Sequence, residues 1–440
     1  QKTAYEISLG LVGSEMCIRD SSAFVDLLNG FSALYPLVPS IKLRVTDNID
    51  LGRFFASRPW NAIGWTPLAF YPFAVGIAYF LPLDLAFSCW FFYLFRKAER
   101  VASAYFGWDR YPDFPYINEQ ACGSWLALAL VTLWMARRPI AESLRAALRG
   151  EPRGPDDPMS HRAAWAGIAI GFAFVAAFHL LAGMSPWCAV SFLVLYLLLA
   201  IAMARVRAEF GSPHEIVFVH PQRILRIILG TKPIGPRNAT VMSVFFWLNR
   251  CYRNHPMPNQ LEALKMAWET GLSGRAMAAV LLGGAVVALL STYASLLYVS
   301  YHYGAASGCT YFKIWVGWES YNRAEHWITT GIPRETRRIA AFVGGFAFVL
   351  FLRLMRNILG WWPFHPAGYP LGVAYPMDYF WSSFLLSWLL KLLLLRYGGP
   401  RAFRMGANFA LGLILGDYFC GASWTIYGIL AGKETYRIFI

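Results

Sequence analysis

Charge is scarce in this chain. Asp, Glu, Lys and Arg together make up 15% of its 440 residues, well below the ~25% of ordinary soluble domains. Acids are the scarcer sign, 25 against 39 basic residues, which leaves a formal net charge of +14. Cysteine is thin and scattered: Cys17, Cys89, Cys122, Cys188, Cys251, Cys309 and Cys420 stand singly, and none forms a CxxC pair. Neither a disulfide framework nor a zinc site is indicated, and the thiols read as small buried apolar groups. The usual enzyme signatures are missing as well. There is no HExxH, no GxSxG, no Walker loop, no GxGxxG opening a helix after a strand and no DxD pair. The sequence therefore assigns no catalytic residue, no metal ligand and no cofactor.

What is abundant is apolar surface, with 57% hydrophobic and 17% aromatic residues. Apolar runs at or near the ~20 residues that cross a bilayer recur along the chain. The expected fold class is all-α, a polytopic integral membrane protein with the lipid bilayer as its first partner. In a soluble chain the positive balance would point to nucleic acid. Here the arginines gather at the ends of apolar runs, where they set topology and meet anionic headgroups, so no nucleic-acid partner is expected.

Residues 1–21 are out of keeping with the rest of the chain. They carry no spanning run, signal-peptide core or cleavage site, and resemble a translated sequencing-adapter sequence, a non-native artefact that would leave the true N-terminal part missing. Residues 22–62, broken by Pro36, Pro39 and Pro59, read as an extramembrane loop with short pieces of structure. The expected spans are 63–81, 83–95 continuing toward 105, 119–136, 163–184, 186–204, 276–299, 339–359, 379–395 and 407–430, about nine in all. The polar stretch 139–161, within the Arg-rich run 137–161, reads as a solvated loop. Residues 301–338 read as an interfacial loop with a short helix near 318–327.

The stretch from 230 to 305 organises the reading. Pro233, Pro236 and Pro256 surround an apolar run, 241–248, too short to cross, and a full span comes after it. Broken backbone of this kind is tolerated in a membrane where protein or a wet cavity surrounds it, and it builds the binding sites of many transporters. Residues 230–275 are accordingly expected to be re-entrant.

Two segments look alike. YPFAVGIAYFLPLDLAFSCWFFYLFRKAER starts at Tyr71, and HPAGYPLGVAYPMDYFWSSFLLSWLLKLLLLR starts at His365. Each has Gly, Ala and Tyr, then Pro and an Asp, then Trp and Lys, and each is succeeded by a third helix opened by Asn. The reading is a truncated first repeat over 63–138 and a second over 162–432, with substrate held between them.

The candidate pathway residues are set by polarity inside apolar runs. Asp417, within LGLILGDYFCGASW, would cost at least about 2.5 kcal/mol facing lipid, so it should face a cavity or a partner. Glu119, with Asn118 and Gln120, opens a span, where an acid suits the helix start; a cavity-lining polar cluster is the other reading, because Asn408 holds the matching place in the second repeat. Asp84 and Asp378 follow or start helices after Pro, where capping is the favoured reading over a place on the pathway. Arg237 and Asn238, in IGPRN, stand at a half-helix start suited to an anionic group, with an Arg at the headgroup level as the equal alternative. His255 reads as a satisfied loop histidine, and His214 and His220 are spaced too loosely for a metal. Gly283-Gly284 and Gly344-Gly345 read as sites of close helix packing.

The runs IGPRN…FFWL…HPMPNQLEALK and HPAGYPLG…RYGGPRAF…LGLILGD resemble a bacterial and archaeal family of polytopic membrane proteins of unknown function, from about Phe31 onward. More distantly, the Gly-rich, Pro-containing helices are similar to those of the oligopeptide transporter superfamily. That resemblance implies that Gly76, Pro82, Gly372, Gly416 and Asp417 lie along a central substrate pathway. KPIGPR stands where that superfamily carries Lys-Ile-Pro-Pro-Arg, and its Asn-Pro-Gly motif is absent. The expectation is an ion- or proton-coupled secondary transporter of a small organic solute in the cytoplasmic membrane of a prokaryote, with homo-oligomerisation left open. The alternatives are a membrane-embedded transferase acting on a lipid-linked substrate and a non-transporting scaffold.

Overall fold

The structure is a computed structural model. It describes residues 22–435 apart from positions 36, 45–48, 153, 155–156, 212–216, 253–254, 306–310 and 434. The adapter-like stretch 1–21 with Cys17, and also His214 and Cys309, lie outside the described residues. Among the described residues the regular elements are helices, with an isolated bridge between Asp50 and Pro67. The chain is an all-α polytopic membrane protein.

The helices are α1 (Ser22–Leu34), α2 (Pro72–Phe80), α3 (Leu83–Tyr105), α4 (Ile117–Met135), α5 (Arg137–Arg149), α6 (His161–Leu181) and α7 (Pro186–Phe210). Then come α8 (Pro221–Leu229), α9 (Gly235–Val244), α10 (Phe246–Asn249), α11 (Pro256–Thr270), α12 (Gly274–Tyr303) and α13 (Tyr311–Thr329). The last four are α14 (Thr336–Ile358), α15 (Gly368–Gly372), α16 (Met377–Leu393) and α17 (Gly399–Ala431). Five described stretches are long and apolar enough to cross a membrane: α6, most of α7, α12, α14, and Met377–Ala431, which joins α16 to α17.

Several sequence expectations are corrected. Residues 63–81 are not one span, because α2 begins at Pro72 and ends at Phe80; Pro72 fixes the first turn and Pro82 blocks continuation. Residues 137–149 form the helix α5 rather than a loop. It buries Ala146 and Ala147 and leaves its arginines outward, while Pro139 falls in the first turn, where a missing N–H costs little. α13 is longer than the short helix expected at 318–327.

The chain divides into two compact units that interleave along the sequence, whereas the repeat reading divides it serially. The first is Gln1–Ile117, Phe210–Ile216 and Val349–Ile440; the second is Asn118–Glu209 and Val217–Phe348.

In the first unit the two look-alike segments share a layout: a short helix, a proline break and a long helix, α2–α3 and α15–α16. Each short helix packs on the long helix of the other segment, α15 on α3 and α2 on α16. The polar ends of the short helices are closed by that packing. Lys391 Nζ donates to the carbonyls of Tyr79 (2.9 Å) and Leu81 (2.7 Å) at the end of α2. Arg96 Nη1 donates to the Val373 carbonyl (3.2 Å) after α15. On the entry side, Ser88 Oγ accepts the His365 N–H, and Ser382 and Ser383 accept those of Ala69 and Tyr71. Broken helices survive in hydrocarbon when the freed backbone groups are satisfied by protein in this way. Glycine permits the approach: a Cβ on Gly76 would lie 2.5 Å from the Ala410 carbonyl of α17, and one on Gly372 2.7 Å from Phe92 Cβ.

In the second unit α4 crosses α14 at a pair of glycines. A Cβ on Gly123 would lie 1.9 Å from the Phe342 carbonyl, and one on Gly345 2.2 Å from the Gln120 carbonyl. Gly283, Gly284 and Gly344 have nothing within 4 Å, so of the two glycine pairs only Gly345 packs closely. A core of Met184, Cys188, Phe192, Leu225, Met242 and Phe245 joins α7, α8 and α9. Cys89, Cys122, Cys188 and Cys420 are buried, as their apolar surroundings implied.

Candidate functional site

Asp417 is buried inside the first unit, 1% exposed, on the middle of α17. Its Oδ2 accepts the N–H of Phe73 at 2.7 Å. Phe73 is the second residue of α2, so the carboxyl group closes one of the orphan N–H groups at a helix start, where the dipole favours negative charge.

A second acid meets it there. Asp26, on α1, is 2% exposed, and the two carboxyl groups are within hydrogen-bonding reach of each other. Asp26 Oδ2 and Asp417 Oδ1 receive no N–H or O–H from the other described residues. Two bare carboxylates repel, whereas one shared proton lets one donate to the other. With Asp417 already taking the Phe73 N–H, the proton belongs on Asp26. α1 is too short to span. Burial, then the hydrogen bond and charge of Asp417, push the Asp26 carboxyl up to about 9, against a smaller downward pull from Arg44. Arg44 Nη2 stands 3.4 Å from Asp26 Oδ1. The segment carrying Arg44 is pinned by Asn29, whose amide accepts the Ile41 N–H at 2.7 Å and donates to its carbonyl at 3.0 Å. Trp424 Nε1 donates to the Asp26 carbonyl (3.3 Å), and Gly30 leaves room for the indole. The pair is thus held from three sides: α1, α17 and the start of α2.

The other sequence candidates in this unit lie elsewhere. Asp84 and Asp378 each sit in the first turn of a long helix and hold ion pairs, and Asp84 Oδ1 also accepts the Leu85 N–H at 3.0 Å, as a capping acid does. Arg356 Nη1 is 2.8 Å from Asp84 Oδ2. Asp378 Oδ1 takes Arg96 at 2.6 Å and Lys97 at 3.8 Å, which buries charges that the sequence placed at an interface. Asn408 lines a cavity of about 670 Å³ with Val75, Tyr79, Ser387, Met405 and Leu413. The walls belong to α2, α16 and α17 and are almost wholly apolar.

In the second unit Glu119 is 2% exposed and is shared by Arg226 Nη2 (3.2 Å) and Arg338 Nη1 (2.9 Å). It is a buried bridge, not a lone cavity acid. Its neighbours part from it: Asn118 is exposed, and Gln120 presents its backbone carbonyl to Gly345. Asn238 is consumed internally. Its Oδ1 accepts from Ser185 N (2.8 Å) and Oγ (3.0 Å), and its Nδ2 donates to the Ile234 carbonyl, which closes the start of α7. Arg237 is exposed beside Gly183. His255 caps α11 through the Met257 N–H, as a loop histidine should. His220 is buried, and its Nδ1 meets the Asn249 carbonyl at 2.8 Å beside a reciprocal Gln222–Asn249 amide pair. Burial and then the nearby Arg223 and Arg323 push His220 well below its usual value, which makes it neutral and an Nδ1 donor. Among the described residues no group of three or more His, Cys, Asp or Glu is placed to hold a metal ion.

Sequence reasoning missed Asp26 and Arg44 because residues 22–62 read as a loop. A signal was present. In AFVDLLNGF, Asp26, Asn29 and Gly30 fall three and four residues apart, one face of a helix with apolar flanks. It also missed Arg226, among the arginines read only as topology signals, and Arg338, read as the end of an interfacial loop.

No curated protein and no solved structure matches the chain. A family model matches residues 21–440, and the chain belongs to that family, a family of unknown function (DUF6785).

Proposed function

We propose that the chain is a proton-coupled secondary transporter of a small organic solute in the cytoplasmic membrane of a prokaryote. The observation that carries this reading is the buried Asp26–Asp417 pair. An acid deep in a long apolar helix is a functional group by default, because lipid would not tolerate it. A pair sharing one proton can take up and release that proton while its alternatives stay compact. Loss of the proton leaves two carboxylates with one nearby guanidinium, Arg44, and drives α1 away from α17. The start of α2 is tied to the same pair through Phe73, so protonation is linked to the position of a half-helix, the element transporters use to bind solute. The apolar cavity between α2, α16 and α17 lies within the 300–1,000 Å³ range of small-molecule sites and fits an apolar or aromatic moiety of the solute.

The test is uptake into proteoliposomes under an inward proton gradient, with a panel of di- and tripeptides and small carboxylic acids as probes. Gradient-driven uptake of at least one probe is expected, with loss of the gradient dependence in Asp417→Asn and Asp26→Asn. Uptake that ignores both substitutions would remove the pair from the mechanism.

A further inference from the structure

The second unit gathers more guanidinium than carboxylate in one place. Glu119 is shared by Arg226 and Arg338, and Glu319 by Arg250 (3.0 Å) and Arg323 (2.9 Å). Arg223, one turn before Arg226 on α8, acts electrostatically on Arg226, Arg323 and His220, and the ring of Phe246 is shared by His220, at 5.2 Å, and Arg323, at 4.6 Å. Arg223 Nη1 donates to the Phe218 carbonyl at 3.2 Å, and among the described residues no carboxylate pairs with it. A third acid, Glu335, pairs with Arg338 Nε at 3.0 Å, with its own side chain 40% exposed. Among the described residues these ion pairs set three carboxylates against five arginines, and neutral His220 adds no negative charge. Aromatic faces hold two of the guanidiniums in place without neutralising them: Arg250 lies 4.7 Å over Trp315, and Arg323 4.6 Å over Phe246. The guanidiniums of Arg226, Arg338 and Arg250 are mostly covered, so water screens the surplus charge poorly.

We propose that Arg223, Arg226 and Arg323 form a binding site for a phosphate-type oxyanion. Planar guanidinium forks from two helices, α8 and α13, suit the several oxygens of a tetrahedral anion better than a single point charge would. Burial and the neighbouring arginines act against the charged forms of Arg226 and Arg323, and a bound anion reverses that. Arg338 is the third residue of α14, a helix long enough to span. The site is therefore near one end of a span, where a phospholipid headgroup or a soluble phosphate-bearing molecule supplies the same chemistry.

The test uses the full chain in a phosphate-free neutral detergent, with thermal unfolding followed during titration. The probes are inorganic phosphate, short-chain phosphatidylglycerol, short-chain phosphatidylcholine and acetate. Saturable stabilisation by phosphate or by phosphatidylglycerol is expected, with the apparent Kd raised about tenfold or more in Arg223→Gln. Saturation by inorganic phosphate assigns a soluble source; saturation by phosphatidylglycerol alone assigns the lipid headgroup. An equal response to phosphatidylcholine or acetate, or none to any probe, overturns the site. So does an unchanged Kd in Arg223→Gln. Should that variant not elute as a single species, Arg323→Gln is read in its place by the same criteria.

Discussion

Asp26 is the residue on which pH acts. In the unfolded chain its carboxyl ionises near 3.8, and in the folded chain it holds its proton up to about 9. Across that window the folded state binds more protons than the unfolded one, so this group makes stability fall as pH rises, until the proton leaves at about 9. Below about 4 both states are protonated and the contribution is flat. Asp26→Asn keeps the shape and removes the titration. Thermal unfolding in detergent against pH should therefore lose part of its downward slope between about 4 and 9 in Asp26→Asn; an unchanged slope would show that Asp26 is ionised in the folded state. Asp417 was legible in the sequence, because an acid within LGLILGD has only a partner or a cavity to face. Its partner was not, since Asp26 lies 391 positions away along the chain in a stretch punctuated by prolines. Asn238 was misread for a related reason. IGPRN has the composition of an anion site, but only the fold brings in Ser185, which uses up its carboxamide oxygen.

At the scale of elements, the proline breaks were legible and their compensation was not. Pro82 and Pro376 stand immediately before the long helices α3 and α16, in sequence as in structure. That Lys391 closes the carbonyl end of α2 and Arg96 that of α15 depends on how the two segments cross. The bonds from Lys391 are charge-assisted and buried, so Lys391→Met should lower stability by about 2–3 kcal/mol, read as a shift in chemical or thermal unfolding, with little change in the α2–α3 sequence-local contacts. A loss below ~0.5 kcal/mol would mean that water replaces the ammonium. Glycine gives a paired prediction. Gly123→Val forces α4 from α14 against a backbone carbonyl and should cost about 1–3 kcal/mol or more. Gly283→Val, with open space around it, should change stability by less than ~0.5 kcal/mol. Equal effects at the two positions would contradict the α4–α14 crossing. The sequence could not rank these glycines, because a GG pair looks the same whether a helix lies against it or not.

For the whole molecule, composition alone carried the class: low charge, abundant apolar runs and arginines at their ends give an all-α membrane protein, and the family match over residues 21–440 agrees with the continuity of that pattern. The interleaved division into two units was beyond its reach, because sequence neighbours such as Ile117 and Asn118 fall in different units with no composition shift to mark the cut. The proposed coupling requires that one proton be held between Asp26 and Asp417. Infrared difference spectroscopy of the purified full chain, stepped in pH from below to above about 9, reads a protonated carboxyl directly through its C=O stretch. A carboxylic acid band is expected that disappears as the pH passes about 9 and is missing from that step in Asp26→Asn. A wild-type spectrum with no such band, or one that keeps it in Asp26→Asn, would contradict the shared proton and the coupling built on it.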